Sequence, residues 1–72
     1  MPLITIKLMN EVFSSDQKKQ LISDITDTVI NIEGENMRPV TWVVIEEVKS
    51  GDWGVGGNAL TSGDIRKMQK GD

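Results

Sequence analysis

The chain has 72 residues, a formal net charge of −3 and no histidine, cysteine or tyrosine. Those absences exclude imidazole bases, thiol nucleophiles, disulfide frameworks and the usual zinc sites, so proton-transfer chemistry falls to carboxylates, the eight lysines and arginines, or a terminal amine. A core this small barely offsets chain entropy, which predicts self-association, while the scattered positive residues and a pI near 4.8 argue against nucleic-acid binding.

Met1-Pro2 runs directly into Leu3-Ile4-Thr5-Ile6-Lys7-Leu8-Met9, where Ile4, Ile6 and Leu8 alternate with Thr5, Lys7 and Met9 at the period of a strand. Removal of Met1 before the small Pro2 would leave a free secondary amine at the start of that strand. An α-amino group titrates near pH ~8, and burial disfavours its charged form, so such an amine can serve as a base. The plainer reading of Pro2 is an edge-strand opener whose missing N–H has no consequence. The absence of cysteine, of an export pattern and of any long apolar segment predicts a cytoplasmic chain that does not enter a membrane.

After the loop Asn10 to Phe13, Ser14 with Gln17 forms a capping box and Asp16 suits the helix dipole, so a helix of roughly nineteen residues is predicted. Its apolar stripe is Leu21, Ile22, Ile25, Val29 and Ile32. Gly34 is the expected left-handed stop, followed by a loop through Pro39. Val40 to Val48 reads as a second strand, apolar on both faces, with Trp42 and Val44 on one and Val43 and Ile45 on the other. The helix is long enough to make the two strands parallel neighbours through a right-handed crossover, and one helix covers only one sheet face. Other subunits are expected on the rest.

Lys49 to Asn58 carries four of the seven glycines, as in a tight hairpin that lays Trp53 over a pocket or a neighbouring subunit. It lacks the Gly-Lys-Ser/Thr ending of a phosphate loop. Residues 59-72 are polar and weakly patterned, and a loose tail or short helical turn is expected there. The domain expectation is accordingly a β-α-β unit over 1-58 and a C-terminal tail over 59-72.

The ordered combination of Met-Pro-strand, Ser14-Ser15-Asp16-Gln17-Lys18, Val43-Val44-Ile45-Glu46-Glu47 and Trp53-Gly54-Val55-Gly56-Gly57 resembles the 4-oxalocrotonate tautomerase family from Pro2 to Gly57. The resemblance implies an α+β, β-α-β subunit with two parallel strands, one long helix and a C-terminal hairpin. It implies dimers that share a four-stranded sheet and assemble as a hexamer, a trimer of dimers. It also implies a cofactor-independent isomerase in which Pro2 takes a proton α to a carbonyl and returns it at another carbon, with Trp53 as the aromatic wall of the site.

Two departures accompany the resemblance. Where the family's well-known members carry an arginine in the first loop and another in the second strand, this chain has Val12-Phe13 and Trp42, and neither ring replaces a bidentate guanidinium. A more apolar substrate walled by Trp42, Phe13 and Trp53, a second chain that supplies arginines in a hetero-hexamer, or a nearby cation would each account for this. Arg38 is the candidate cation by position, against the reading of a solvent-exposed loop arginine. Lys7 reads as a solvated or interface side chain, Trp42 equally as an interface anchor, and adjacent Glu46 and Glu47 point to opposite faces and cannot act as a pair. The reading is a tautomerase acting on a small unsaturated or 2-oxo acid. The alternatives are a catalytically incomplete assembly subunit and a hydratase- or dehalogenase-like relative.

Overall fold

Strand β1 (Leu3–Met9) is continued by helix α1 (Ser15–Glu33), a 3-10 segment (Glu35–Val40) and strand β2 (Trp42–Val48). A hairpin of β3 (Trp53–Val55) and β4 (Asn58–Leu60) leads to helix α2 (Ser62–Lys70). The structure is a computed structural model and describes residues 2–71; the fate of Met1 lies outside the described residues.

The helix start is a local matter. Ser14 Oγ accepts the Gln17 N–H at 3.1 Å, while Gln17 Oε1 accepts the Ser14 N–H at 2.8 Å, which satisfies two donors that an uncapped helix leaves free. The 19 residues of α1 span about 28 Å, enough to run back along a seven-residue strand of about 23 Å. β1 and β2 therefore pair in parallel, with Leu3 opposite Trp42 and Met9 opposite Val48.

Three local expectations change. Gly34 has a positive φ of 108° but a ψ of 151°, an extended backbone open to glycine and not the left-handed cap. The expected loop after it is the 3-10 segment, which takes in Val40, so β2 begins at Trp42. That segment packs against α1, and the covered side of the helix shifts near its end: Ile30 is 4% exposed whereas Ile32, placed in the apolar stripe by periodicity, is 84% exposed.

Beyond Asn58 the chain is more ordered than its composition suggests. Gly56 and Gly57 have φ of 58° and 85°, the double positive φ that a two-residue hairpin turn requires, and Asn58 pairs with Val55 while Leu60 pairs with Trp53. Where a loose tail or short turn is expected, α2 forms nine residues with its own capping box. Thr61 Oγ1 accepts the Asp64 N–H at 3.3 Å and an Asp64 oxygen accepts the Thr61 N–H at 2.9 Å.

The sheet faces are unequal. Ile4, Ile6, Val43 and Ile45 are half-buried on the side of α1, whereas Leu3 is 65% and Trp42 56% exposed on the bare side. Among the described residues only Met9 and Ile30 are buried hydrophobics, and neither is fully enclosed. The accessible surface is 5273 Å², against about 4,450 Å² expected for a folded monomer of this mass. The radius of gyration is 15.0 Å, against about 11 Å expected for this length. One chain thus leaves one sheet face and one edge of β1 without cover.

Candidate active site

A cavity of about 230 Å³ gathers residues from β1, the loop after it, the hairpin and α2. Lys7, Leu8 and Met9 come from the end of β1, Val12 and Phe13 from the following loop, Trp53 and Leu60 from the hairpin, and Ile65 from α2. Its walls are apolar apart from Lys7, whose ammonium reaches Glu46 at 3.1 Å on the neighbouring strand. Glu47 turns to the other face and pairs with Lys18 of α1 at 2.8 Å, so the two carboxylates are separated as strand geometry requires.

The loop that carries Val12 and Phe13 is shaped by residues far along the chain. The Asn10 N–H donates to the Val48 carbonyl at 2.7 Å and extends the parallel ladder by one step. Glu11 then adopts a φ of 72°, left-handed backbone that disfavours a residue with a Cβ by about 1–2 kcal/mol. Helix α2 holds it there: Arg66 donates to the Glu11 carbonyl at 2.6 Å and Ser62 Oγ to its carboxylate at 3.3 Å. The buried Ser62 also donates its N–H to Ser50 Oγ at 2.9 Å, which ties α2 to the loop before β3.

Trp53 supplies ring area to the cavity but no polar anchor. Its indole N–H is buried with no acceptor among the described residues, an arrangement that disfavours the fold by about 1–3 kcal/mol relative to a paired donor.

The expected site residues fall into three places. Trp53 and Phe13 meet in the cavity. Pro2 and Trp42 sit at the opposite end of the sheet, where the Trp42 N–H donates to the Pro2 carbonyl at 3.0 Å; six strand steps, about 20 Å, separate Leu3 from Met9. Arg38 is occupied elsewhere. Its guanidinium meets Glu35 at 2.7 Å and Asp27 at 2.9 Å, and the hydrogen bond from Arg38 holds the Glu35 carboxyl below the ordinary carboxylate range while raising the arginine's own pKa. Lys7, read from the sequence as a solvated or interface side chain with lining the site as the lesser alternative, is both exposed and part of the cavity wall, and Leu60 and Ile65 join it from the stretch expected to be a loose tail or short helical turn. The Thr61-Ser62-Gly63-Asp64 box was the signal for α2, masked by Gly63 inside its first turn. Among the described residues no cluster of carboxylates suits a metal ion, and no helix is long and apolar enough to cross a membrane.

The site is thus a small apolar cavity where strand end, loop and glycine-turned hairpin of a parallel β-α-β unit meet. The family profile described as Tautomerase enzyme matches residues 2–63. Probable tautomerase K2 of Dickeya dadantii is 36% identical over 61 residues, which is 85% of this chain and 90% of that protein. A probable tautomerase of Listeria innocua is 43% identical over 60 residues, 79% of this chain and 90% of that one. Among solved structures, DmpI from Helicobacter pylori superposes with a TM-score of 0.70 at 32% identity over 92% of this chain and 97% of that one. A putative 4-oxalocrotonate tautomerase from methicillin-resistant Staphylococcus aureus gives 0.66 at 38% identity over 88% and 95%. The chain belongs to the 4-oxalocrotonate tautomerase family, and membership supports an isomerase activity of the tautomerase type.

Proposed function

We propose that the chain is a cofactor-independent tautomerase of a small unsaturated or 2-oxo acid, with Pro2 as general base and a site completed between two copies. The observation that carries the reading is the division of the site: the cavity with Trp53 and Phe13 lies at one end of β1 and Pro2 at the other. β1 pairs only with β2 among the described residues, so its other edge is free to pair with a second β1. An antiparallel pairing centred on Ile6 sets Leu3 of one copy opposite Met9 of the other, by the reversal that two-fold symmetry imposes. Pro2 of each copy then arrives at the apolar cavity of its neighbour. Two sheets of two strands become one of four, and further copies cover the bare face around Leu3, Trp42 and Val44.

In that setting the chemistry follows from desolvation. Walls such as Leu8, Phe13 and Trp53 disfavour the ammonium form of the Pro2 amine once Met1 is removed. The neutral amine takes a proton from the carbon α to the substrate carbonyl, or from the hydroxyl of an enol substrate, leaving a dienolate or enolate, and the ammonium so formed returns the proton to a different carbon. The proton is returned, so the amine ends neutral and the substrate's charge is unchanged. A general base placed in this way contributes about 10²- to 10⁴-fold.

The test is turnover of phenylenolpyruvate and 2-hydroxymuconate by the intact protein and by Pro2→Ala, with intact mass recorded on the same samples. The expected result is a mass lacking the initiator methionine and a loss in kcat/KM of about 10²-fold or more for the variant. Equal rates, or a retained methionine in active protein, would leave the chain as an assembly subunit without this mechanism.

A further inference from the structure

We infer that Arg66, carried by α2, anchors the substrate's carboxylate, and that α2 selects a compact monocarboxylate with one aryl or branched apolar group. The inference rests on the tautomerase reading of the same cavity and adds the substrate class and the residue that sets it.

The charge around the cavity points to this arginine. Arg38 holds Asp27 and Glu35, Lys18 holds Glu47, and Lys7 holds Glu46. The Arg66 guanidinium has no carboxylate within ion-pairing distance among the described residues. Lys19, Lys49, Lys67 and Lys70 also lack an ion pair among those residues, and Arg66 is singled out because a backbone carbonyl of the cavity loop, Glu11 O, holds it at 2.6 Å, a contact that fixes its position without a direct carboxylate partner. That carbonyl is bonded to the nitrogen of Val12, a cavity residue, which puts the guanidinium nitrogen within about 5 Å of the Val12 backbone by standard peptide dimensions. A guanidinium has five N–H donors, and the bond to Glu11 leaves the others for a bidentate carboxylate contact. Ile65, the preceding residue, lines the cavity with Leu60.

The same helix therefore brings an apolar wall, Ile65, into the lining and a cation against the backbone of the loop that carries Val12. With about 230 Å³ and one paired lysine in its lining, the cavity admits an apolar group and offers a second carboxylate no partner deep inside. A monocarboxylate satisfies both ends, because its charged group stays with Arg66 and its ring or branched chain meets Phe13, Trp53 and Ile65.

The experiment is a tryptophan-fluorescence titration with 3-phenylpropanoate and with the neutral 3-phenylpropan-1-ol, on the unaltered protein and on Arg66→Ala, Arg66→Lys and Lys7→Met. The expected result is tighter binding of the acid than the alcohol, at least a tenfold loss for the acid alone in Arg66→Ala, and partial recovery in Arg66→Lys. With phenylenolpyruvate, KM rises in Arg66→Ala while kcat changes by less than threefold. Equal affinity for acid and alcohol in the unaltered protein overturns the inference. So does loss of acid preference in Lys7→Met with none in Arg66→Ala, and so does equal loss of both probes in both Arg66 variants, the mark of a merely structural bond to Glu11. Pro2→Ala separates this inference from the proposed mechanism. Unchanged turnover with Arg66-dependent acid binding removes only the base assignment, and lost turnover with no acid preference removes only the anchor.

Discussion

Trp53 and Glu11 show how single residues serve the cavity at the expense of local comfort. Trp53 buries an indole N–H with no acceptor among the described residues, and exchange for phenylalanine removes that unpaired donor along with some ring area. The two effects oppose each other, so Trp53→Phe is expected to change unfolding free energy by no more than about 1 kcal/mol in a urea titration, whereas Trp53→Ala empties the hairpin side of the cavity and is expected to lose about 3–5 kcal/mol. Glu11 holds a left-handed φ because α2 binds both its carbonyl and its carboxylate. Pro2 was singled out by its dipeptide and by the residue types the chain lacks, and its role as base stands as a proposal, whereas the place of Trp53 over a pocket was legible from its glycine-rich surroundings. Arg66 carried no signal, since its importance comes from a contact across 55 positions of chain.

Among the elements, those that answer to neighbouring residues were the readable ones. The Ser14–Gln17 box starts α1 where the sequence indicates, and Gly56-Gly57 turns the hairpin. Helix α2 escaped notice although Thr61 and Asp64 cap it in the same manner, and that cap makes it acid-sensitive. Hydrogen bonds from the Thr61 backbone and side chain keep the Asp64 carboxyl below its ordinary value. A carboxyl lowered in the folded state stabilises it at pH above the unfolded value of about 3.9, and the contribution disappears as pH falls through the lower folded value. Amide exchange at Asp64 and Ile65 is therefore expected to accelerate below pH ~4 in the unaltered protein. In Asp64→Asn, which has no carboxyl to titrate, this acid-dependent step is expected to be absent, with faster exchange already at neutral pH.

At the scale of the whole molecule the dominant fact is surface left over. Two buried hydrophobic residues among those described and an exposed face bearing Leu3 and Trp42 do not stabilise a lone 8.0 kDa chain. Light scattering is expected to give a mass several times that value at micromolar concentration, little affected by salt because the exposed residues Leu3, Trp42 and Val44 of the bare face are apolar. Trp42→Glu on the bare face is expected to shift it toward smaller species, and turnover is expected to fall with it if Pro2 and its cavity belong to different copies. A monomeric, fully active protein would contradict the shared site.

The sequence by itself determined the parallel β-α-β unit, the helix start, the hairpin and the family, because each depends on spacing between near neighbours or on an ordered set of short motifs. Only the tertiary structure decided that Phe13 and Trp53 face one cavity with Lys7 and Ile65, that Arg38 is committed to Glu35 and Asp27, and that Pro2 lies about 17 Å along β1 from the pocket of its own chain. Those relations arise where distant segments meet, and periodicity along the chain records the face a residue takes but not what it faces.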